Sequence, residues 1–147
     1  MKRWNRPTLL LVLACVGAAA TGCGGRDEDG DEDGAGRGTI TCDGAALTGM
    51  TDLPRGFPKL DGVTYVASET RGPTVVVTGY YDGSLEDAYE GYKDAFEGAG
   101  YDVLFDELEE HDSEVSYRAG DDTEGIVALR DACDDERISV HITNRPS

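Results

Sequence analysis

The chain has 147 residues, which is room for one domain, and it carries 13 Lys and Arg side chains against 30 Asp and Glu, a formal net charge of −17. So strong a negative charge favours solubility and makes nucleic acid and anionic lipid head groups unfavourable partners. The sequence holds no Gly-rich phosphate loop, nucleophile elbow or dinucleotide fingerprint, and its two histidines are few for a zinc site. We therefore predict a protein that is not an enzyme and that binds no cofactor or metal.

Residues 1–22 have the features of an export signal. Lys2, Arg3 and Arg6 form a basic start, and an apolar run over residues 9–13 is extended by small residues to Ala20. The run is shorter than the roughly 20 apolar residues that a membrane-spanning helix needs. This order of basic, apolar and small residues is typical of a secretory signal peptide.

The sequence Ala-Thr-Gly-Cys, which ends at Cys23, resembles the lipobox of bacterial lipoproteins. The resemblance implies cleavage just before Cys23 and a diacylglycerol on its thiol, which would hold the protein at the outer face of the cytoplasmic membrane. Ala20 is a departure, since Leu is most common there. Cleavage after Ala20, as in an ordinary signal peptide, is the alternative. Two acyl chains are enough for stable anchoring.

The number of cysteines favours lipidation over that alternative. Cleavage after Ala20 would leave Cys23, Cys42 and Cys133, an odd number of thiols in an oxidising compartment. With Cys23 lipidated, Cys42 and Cys133 are free to pair, and we predict a disulfide between them.

The mature chain divides into a linker and a domain. Residues 23–38 comprise Cys23 and an acidic, Gly-rich stretch without core-forming side chains, which predicts a flexible linker. Residues 39–147 are predicted to form one compact domain.

The first half of this domain predicts two strands and a helix. Pro54 and Pro58 favour an extended segment around Phe57, and strands over residues 63–69 and 74–81 form a hairpin. A helix begins after the N-cap Ser84, and the predicted end of this helix involves two glycines in the left-handed conformation. The two glycines at the end are Gly98 and Gly100. A third glycine, Gly91, lies inside the helix and predicts the close approach of a strand.

Further strands are predicted over residues 101–108, 115–119, 124–130 and 137–143. In the first of them Tyr101, Val103 and Phe105 occupy alternate positions and should share one face. The fold class is therefore α+β: one antiparallel sheet of five to six strands, ordered ββα and then a β-meander, with one amphipathic helix packed on one face and one disulfide.

Candidate chemical groups are few. His111, Asp112 and Ser113 are the residue types of a hydrolase triad, but as immediate neighbours they cannot face one another, and we interpret them as a polar turn. His141 is predicted to point away from the core. An excess of carboxylates leaves small-molecule or cation binding as an alternative function. These carboxylates are Glu107, Glu109, Glu110, Asp121, Asp122, Asp134 and Asp135.

Tyr80 and Tyr81 are the candidate contact residues for a protein partner. As neighbours in a strand they point to opposite faces, so one of them lies off the core. Exposed tyrosine is enriched at interfaces, although a tyrosine lying flat against its strand neighbours fits equally well.

Three pieces of the chain resemble uncharacterised small lipoproteins of high-GC Gram-positive bacteria. They are residues 53–58 (Leu-Pro-Arg-Gly-Phe-Pro), residues 98–103 (Gly-Ala-Gly-Tyr-Asp-Val) and residues 137–142 (Arg-Ile-Ser-Val-His-Ile). The resemblance implies a membrane-anchored lipoprotein and supplies no activity. We predict a binding or accessory module outside the cytoplasmic membrane, with a protein partner at the cell surface; a hydrolase is the least favoured alternative.

Overall fold

The computed structural model describes residues 39–49 and 53–146, so the predictions made for the export signal, Cys23 and the linker lie outside it. Six strands form one antiparallel sheet in the order β1-β2-β6-β5-β4-β3, and one helix packs on one face. This confirms the predicted fold class. The elements are β1 (Val63–Arg71), β2 (Thr74–Asp82), α1 (Leu85–Gly98), β3 (Asp102–Leu108), β4 (Asp112–Ala119), β5 (Thr123–Arg130) and β6 (Arg137–Pro146).

Strand β6 joins the two halves of the sheet. It pairs with β2 on one side and with β5 on the other, so it unites the β1–β2 hairpin with the β3–β6 meander. Its side chains Ile138, Val140 and Ile142 alternate with more polar residues and are buried on the face that carries α1. We call this the helix face.

The N-terminus of α1 follows its predicted cap. Ser84 has extended backbone and its Oγ accepts a hydrogen bond from the Asp87 amide at 3.1 Å. The helix buries an apolar stripe against β3, β4 and β5.

The predictions about the glycines of this helix are right for Gly100 and wrong for Gly98 and Gly91. Gly98 is still helical, and only Gly100 has a positive φ, of 78°. Gly91 faces the side chain of Leu60, which precedes β1, and not a strand; an added Cβ would lie 2.6 Å from Leu60 Cδ1.

The core under the helix is centred on three stacked or edge-packed rings. Phe96 of α1 lies 4.4 Å from Tyr117 of β4 between ring centroids, and Phe57 packs edge-on to both at 5.7 Å. Tyr117 Oη donates a buried hydrogen bond of 2.9 Å to Asn144 Oδ1 in β6, and burial raises the pKa of the tyrosine hydroxyl, which keeps it protonated as a donor. The proline-flanked Phe57 thus belongs to the core that helix and sheet share.

The N-terminal segment, residues 39–49, contacts two separate parts of the fold, the β5–β6 turn and strand β1. The predicted disulfide between Cys42 and Cys133 is present and links this segment to the β5–β6 turn, with Cα atoms 5.6 Å apart. Further along, the Leu47 amide donates to the Tyr65 carbonyl of β1 at 2.8 Å. The segment therefore runs from the β6 side of the sheet to its β1 edge.

Removal of the disulfide should destabilise this domain strongly. The bridge spans 91 residues, and the chain-entropy model assigns about 4–5 kcal/mol to a loop of that size. We expect the double variant Cys42→Ala, Cys133→Ala to lose about 2–5 kcal/mol in the free energy of unfolding, measured by urea denaturation with far-UV circular dichroism.

A reductant provides the matched control. It should shift the wild-type curve to that of the double variant and leave the variant unchanged. A double variant as stable as the oxidised wild type would contradict this role of the bridge.

Candidate functional site

The sheet face opposite the helix is largely uncovered, and we call it the open face. The strand register places side chains there in cross-strand rows. One of these, the central row, crosses all six strands. It begins with a charged side chain and ends with an aromatic one, and the side chains between them are apolar or small. From β1 to β3 it consists of Glu69, Val76, Thr143, Ile126, Ser116 and Phe105.

One end of the open face is occupied by the N-terminal segment. The Thr41 amide donates to Ser139 Oγ at 2.8 Å, and Ser139 is buried although it points away from the helix. Arg137 Nη1 donates to the Cys42 carbonyl at 3.0 Å. These contacts, with the disulfide, close this end of the face against other partners.

Further along the strands, the open face carries an exposed apolar patch, which we define as Leu104, Phe105 and Ile126. Their exposed fractions are 46%, 51% and 38%. Leu104 and Ile126 line a depression of about 360 Å³ that also includes Thr74 of β2. An uncovered apolar cluster of this kind is typical of an interaction surface, whereas single exposed apolar residues are not.

A β-bulge creates this patch. The β3–β4 register shifts between Val103 and Phe105, so Val103 pairs with Tyr117 on the helix face while Phe105 pairs with Ser116 on the open face. The prediction that Tyr101, Val103 and Phe105 share one face is therefore wrong for Phe105. Simple alternation fails because the bulge inserts one residue, Leu104.

An ion pair borders the patch. Arg118 of β4 donates to Glu124 Oε1 of β5 through Nη2 at 2.8 Å and Nε at 3.1 Å, and this hydrogen bond raises the pKa of the guanidinium. Both residues flank the Ser116–Ile126 pair of the central row. The patch thus has the apolar centre and charged border that protein interfaces show.

Strand β3 is fastened to the helix on its other side. Lys93 Nζ of α1 lies 2.7 Å from Asp106 Oδ2, and Tyr89 Oη donates to the same oxygen. The hydrogen bond from Lys93 lowers the pKa of Asp106, and the same bond raises the pKa of Lys93, so each partner favours the charged form of the other. These contacts hold β3 in place while its opposite face stays exposed.

The two predicted contact tyrosines lie on opposite faces, as the period of a strand requires. Tyr81 pairs with Ile138 and packs against the core of the helix face. Tyr80 lies on the open face, next to the covered end, with the Arg137 guanidinium 4.7 Å from its ring centroid. Tyr80 therefore remains the candidate of the pair, at the far end of the face from the apolar patch.

The triad residue types do not converge. His111 lies in the β3–β4 turn as predicted, but Asp112 and Ser113 are the first residues of β4, so their assignment to a polar turn is wrong. Ser113 is buried on the helix face, and its Oγ has no hydrogen-bond partner among the described residues. The strand extends this far because Asp112 and Ser113 pair with Arg130 and Leu129 of β5.

The predicted carboxylates are dispersed. They occupy β3 and the residues after it, the β4–β5 turn and the β5–β6 turn. Within residues 39–49 and 53–146, no group of three or more His, Cys, Asp or Glu side chains is arranged to hold a metal ion.

His141 points away from the core of the helix face, as predicted, but it is half-buried on the open face. Its register neighbours are Thr78 and Ala128, and its Nδ1 has no hydrogen-bond partner in the described part of the chain. Burial lowers the pKa of His141, and the nearby Arg130 and Arg71 lower it further, against a smaller opposite effect of Glu69. The ring is thus held neutral.

Sequence reasoning missed Leu104 and Ile126. The signal for Ile126 was available, because it stands among Glu124 and Arg130 on the polar face of an alternating strand. Leu104 carried the same signal, because alternation with Val103 of the helix face places it on the open face; only the face of Phe105 depends on the bulge.

Comparison with protein-family models, with curated proteins and with solved structures finds no match to this chain. In the described residues, no helix has the length and apolar character to cross a membrane.

The free energy of unfolding should depend on the protonation of His141. Its folded pKa lies below the ordinary value of about 6.5, so the unfolded chain takes up the proton first as the pH falls. The contribution of His141 is therefore complete above that pH and is lost as the pH falls toward the folded pKa. We expect His141→Gln to lose less stability than the wild type between pH 7.5 and pH 5, measured by urea denaturation.

The control is His111→Gln, which removes a histidine whose side chain is 67% exposed. Equal slopes for the wild type and His141→Gln would contradict the assignment.

Proposed function

We propose that the protein is a lipoprotein tethered through Cys23 to the outer face of the cytoplasmic membrane, and that its domain is a binding module for a protein partner at the cell surface. The apolar patch on the uncovered part of the open face is the observation that supports binding. The tether is inferred from the export signal, the lipobox-like sequence and the cysteine count.

The position of the patch suits a module held by its N-terminus. The described chain begins at Thr39, beside the covered end of the open face, where Thr41 contacts Ser139. The patch lies away from that contact, since Ile126 stands four residues along β5 from Arg130, the register partner of Ser139. A linker attached at the covered end would leave the patch accessible to a partner.

The aromatic ring of Phe105 favours a protein as the ligand. Protein interfaces are enriched in aromatic side chains, and an exposed apolar surface beside an ion pair resembles the centre and rim of such an interface. The alternative of a small molecule or cation depends on the number of carboxylates, and in residues 39–49 and 53–146 no group of three or more His, Cys, Asp or Glu is arranged to hold a metal ion. That the protein is not an enzyme remains a prediction.

The binding surface is tested by photo-crosslinking in intact cells. A photoreactive phenylalanine analogue in place of Phe105 should give a discrete protein adduct, because that ring is half-exposed. The same analogue at Glu90, on the solvent side of α1, is the control and should give none.

Excess purified wild-type protein should suppress the Phe105 adduct, whereas an Ile126→Ser competitor should suppress it less. Equal adducts at Phe105 and Glu90, or none at Phe105, would contradict the proposal.

The tether is tested by mass spectrometry of protein extracted from the membranes in which it is made. We expect a chain that begins at Cys23, carries a diacylglycerol and gains two hydrogens on reduction. A lipid-free chain that begins at Thr21 would contradict the anchor and leave the proposal for the binding surface intact.

A further inference from the structure

We propose that the free edge of β3 binds an extended, basic segment of the partner, which adds to the sheet as a seventh strand. The inference rests on the proposed binding function and assigns it a mode and a partner chemistry. It is carried by the backbone, the apolar side chains and the charges of this edge.

The two edges of the sheet differ. At β1 the Leu47 amide donates to the Tyr65 carbonyl, so the N-terminal segment covers part of that edge. Strand β3 ends the sheet on the other side and pairs only with β4; among residues 39–49 and 53–146 nothing pairs with its outer side. Such an edge presents unpaired amides and carbonyls to which an extended peptide can hydrogen-bond.

Exposed apolar side chains concentrate on the same strand. Leu104, Phe105 and Leu108 are 46%, 51% and 41% exposed, and they are three of the five large apolar side chains exposed in the described residues. An added strand would bring its own side chains beside them and remove apolar surface from water.

The charges select a basic partner. Glu107 of β3 stands directly opposite Glu114 of β4, a like-charged pair that destabilises a sheet when it is not compensated. Glu107, Glu109 and Glu114 border a depression of about 180 Å³ whose one cation, Arg130, pairs with Asp112 at 3.5 Å; no described Lys or Arg forms an ion pair with any of the three glutamates. A Lys or Arg side chain of an added strand would lie beside these carboxylates.

A second copy of the chain fits this edge poorly. Residues 39–147 contain eight Lys and Arg against 24 Asp and Glu, a formal charge of −16. Pairing two β3 edges would bring Asp102, Glu107 and Glu109 of one copy near the same acids of the other, and like charges across a strand pair are unfavourable. The occupant is therefore a basic segment of another protein.

The test uses full-length protein in detergent and three capped eight-residue peptides. The first alternates Lys with Val; the second has Glu in place of Lys; the third is the Lys peptide with alternate amides N-methylated. N-methylation keeps the charge, and hence any attraction to the acidic linker, but it removes the donors that a strand needs. We expect fluorescence anisotropy to show binding of the first peptide and binding weaker by about tenfold or more for the other two.

Variants place the binding at the edge. Leu104→Lys should weaken binding of the first peptide by about tenfold or more, because an edge lysine repels a basic strand and removes apolar contact. The matched control is Ile40→Lys, the same change at a residue 43% exposed on the N-terminal segment, which should stay within about twofold. Far-UV circular dichroism of both variants checks that they fold.

A second pair of variants tests the charges. Glu107→Gln with Glu109→Gln should weaken binding by about two- to tenfold, as expected for two exposed ion pairs. The control, Asp121→Asn with Asp122→Asn, removes the same charge from the β4–β5 turn and should have little effect.

Three outcomes would overturn the inference. They are equal binding of the methylated peptide, no binding of the first peptide, and a wild-type dimer that Leu104→Lys dissociates. If the Phe105 adduct still forms in cells, any of these outcomes rules out strand addition but leaves the proposed binding surface intact. If the Phe105 adduct is also absent, the proposed function is ruled out as well.

Discussion

The pairing of β6 with both β2 and β5 is the constraint on which the rest of the structure depends. Without it the β1–β2 hairpin would be separated from the β3–β5 meander, and a two-stranded hairpin alone is at best marginally stable in water. Both ladders of β6 carry buried apolar side chains, since Val140 stands between Leu129 and Gly79, and Ile142 between Val127 and Val77. The disulfide then fixes the turn that leads into this strand.

The open face follows from the size of the single helix. Six strands about 4.8 Å apart make a sheet roughly 24 Å wide, and a helix covers about 10 Å of that width. The helix packs against β3, β4 and β5, and the segment with Phe57 completes the helix face. Among the described residues, only residues 39–49 are left to cover the open face. They contact it at Ser139 of β6 and reach the β1 edge at Tyr65. The apolar patch is uncovered because of this shortage.

The elements that the sequence predicted well are those set by local chemistry. Ser84 caps the helix as its side chain dictates, and the alternation in residues 137–143 identified β6. The disulfide followed from counting thiols. What failed depended on tertiary contacts: the bulge at Leu104 reverses the face of Phe105, the β5 ladder draws Asp112 and Ser113 into β4, and Leu60 occupies the space beside Gly91. The position of β6 between β2 and β5 is likewise a long-range pairing that no local pattern encodes. The candidate site was therefore only partly predictable: Tyr80 was named from its strand position, while the patch around Phe105 depends on the bulge.

Amide hydrogen exchange of the full-length protein, resolved by strand, tests most directly whether this sheet is held by β6 and free along β3. Exchange reports the opening of each backbone hydrogen bond and the exposure of each unpaired amide. Amides of β6 should exchange most slowly, and amides of β3 should exchange faster than those of β1, whose edge is partly covered. Protection of β3 equal to that of β6 would show that its outer edge is already paired, and would contradict the account of a free edge.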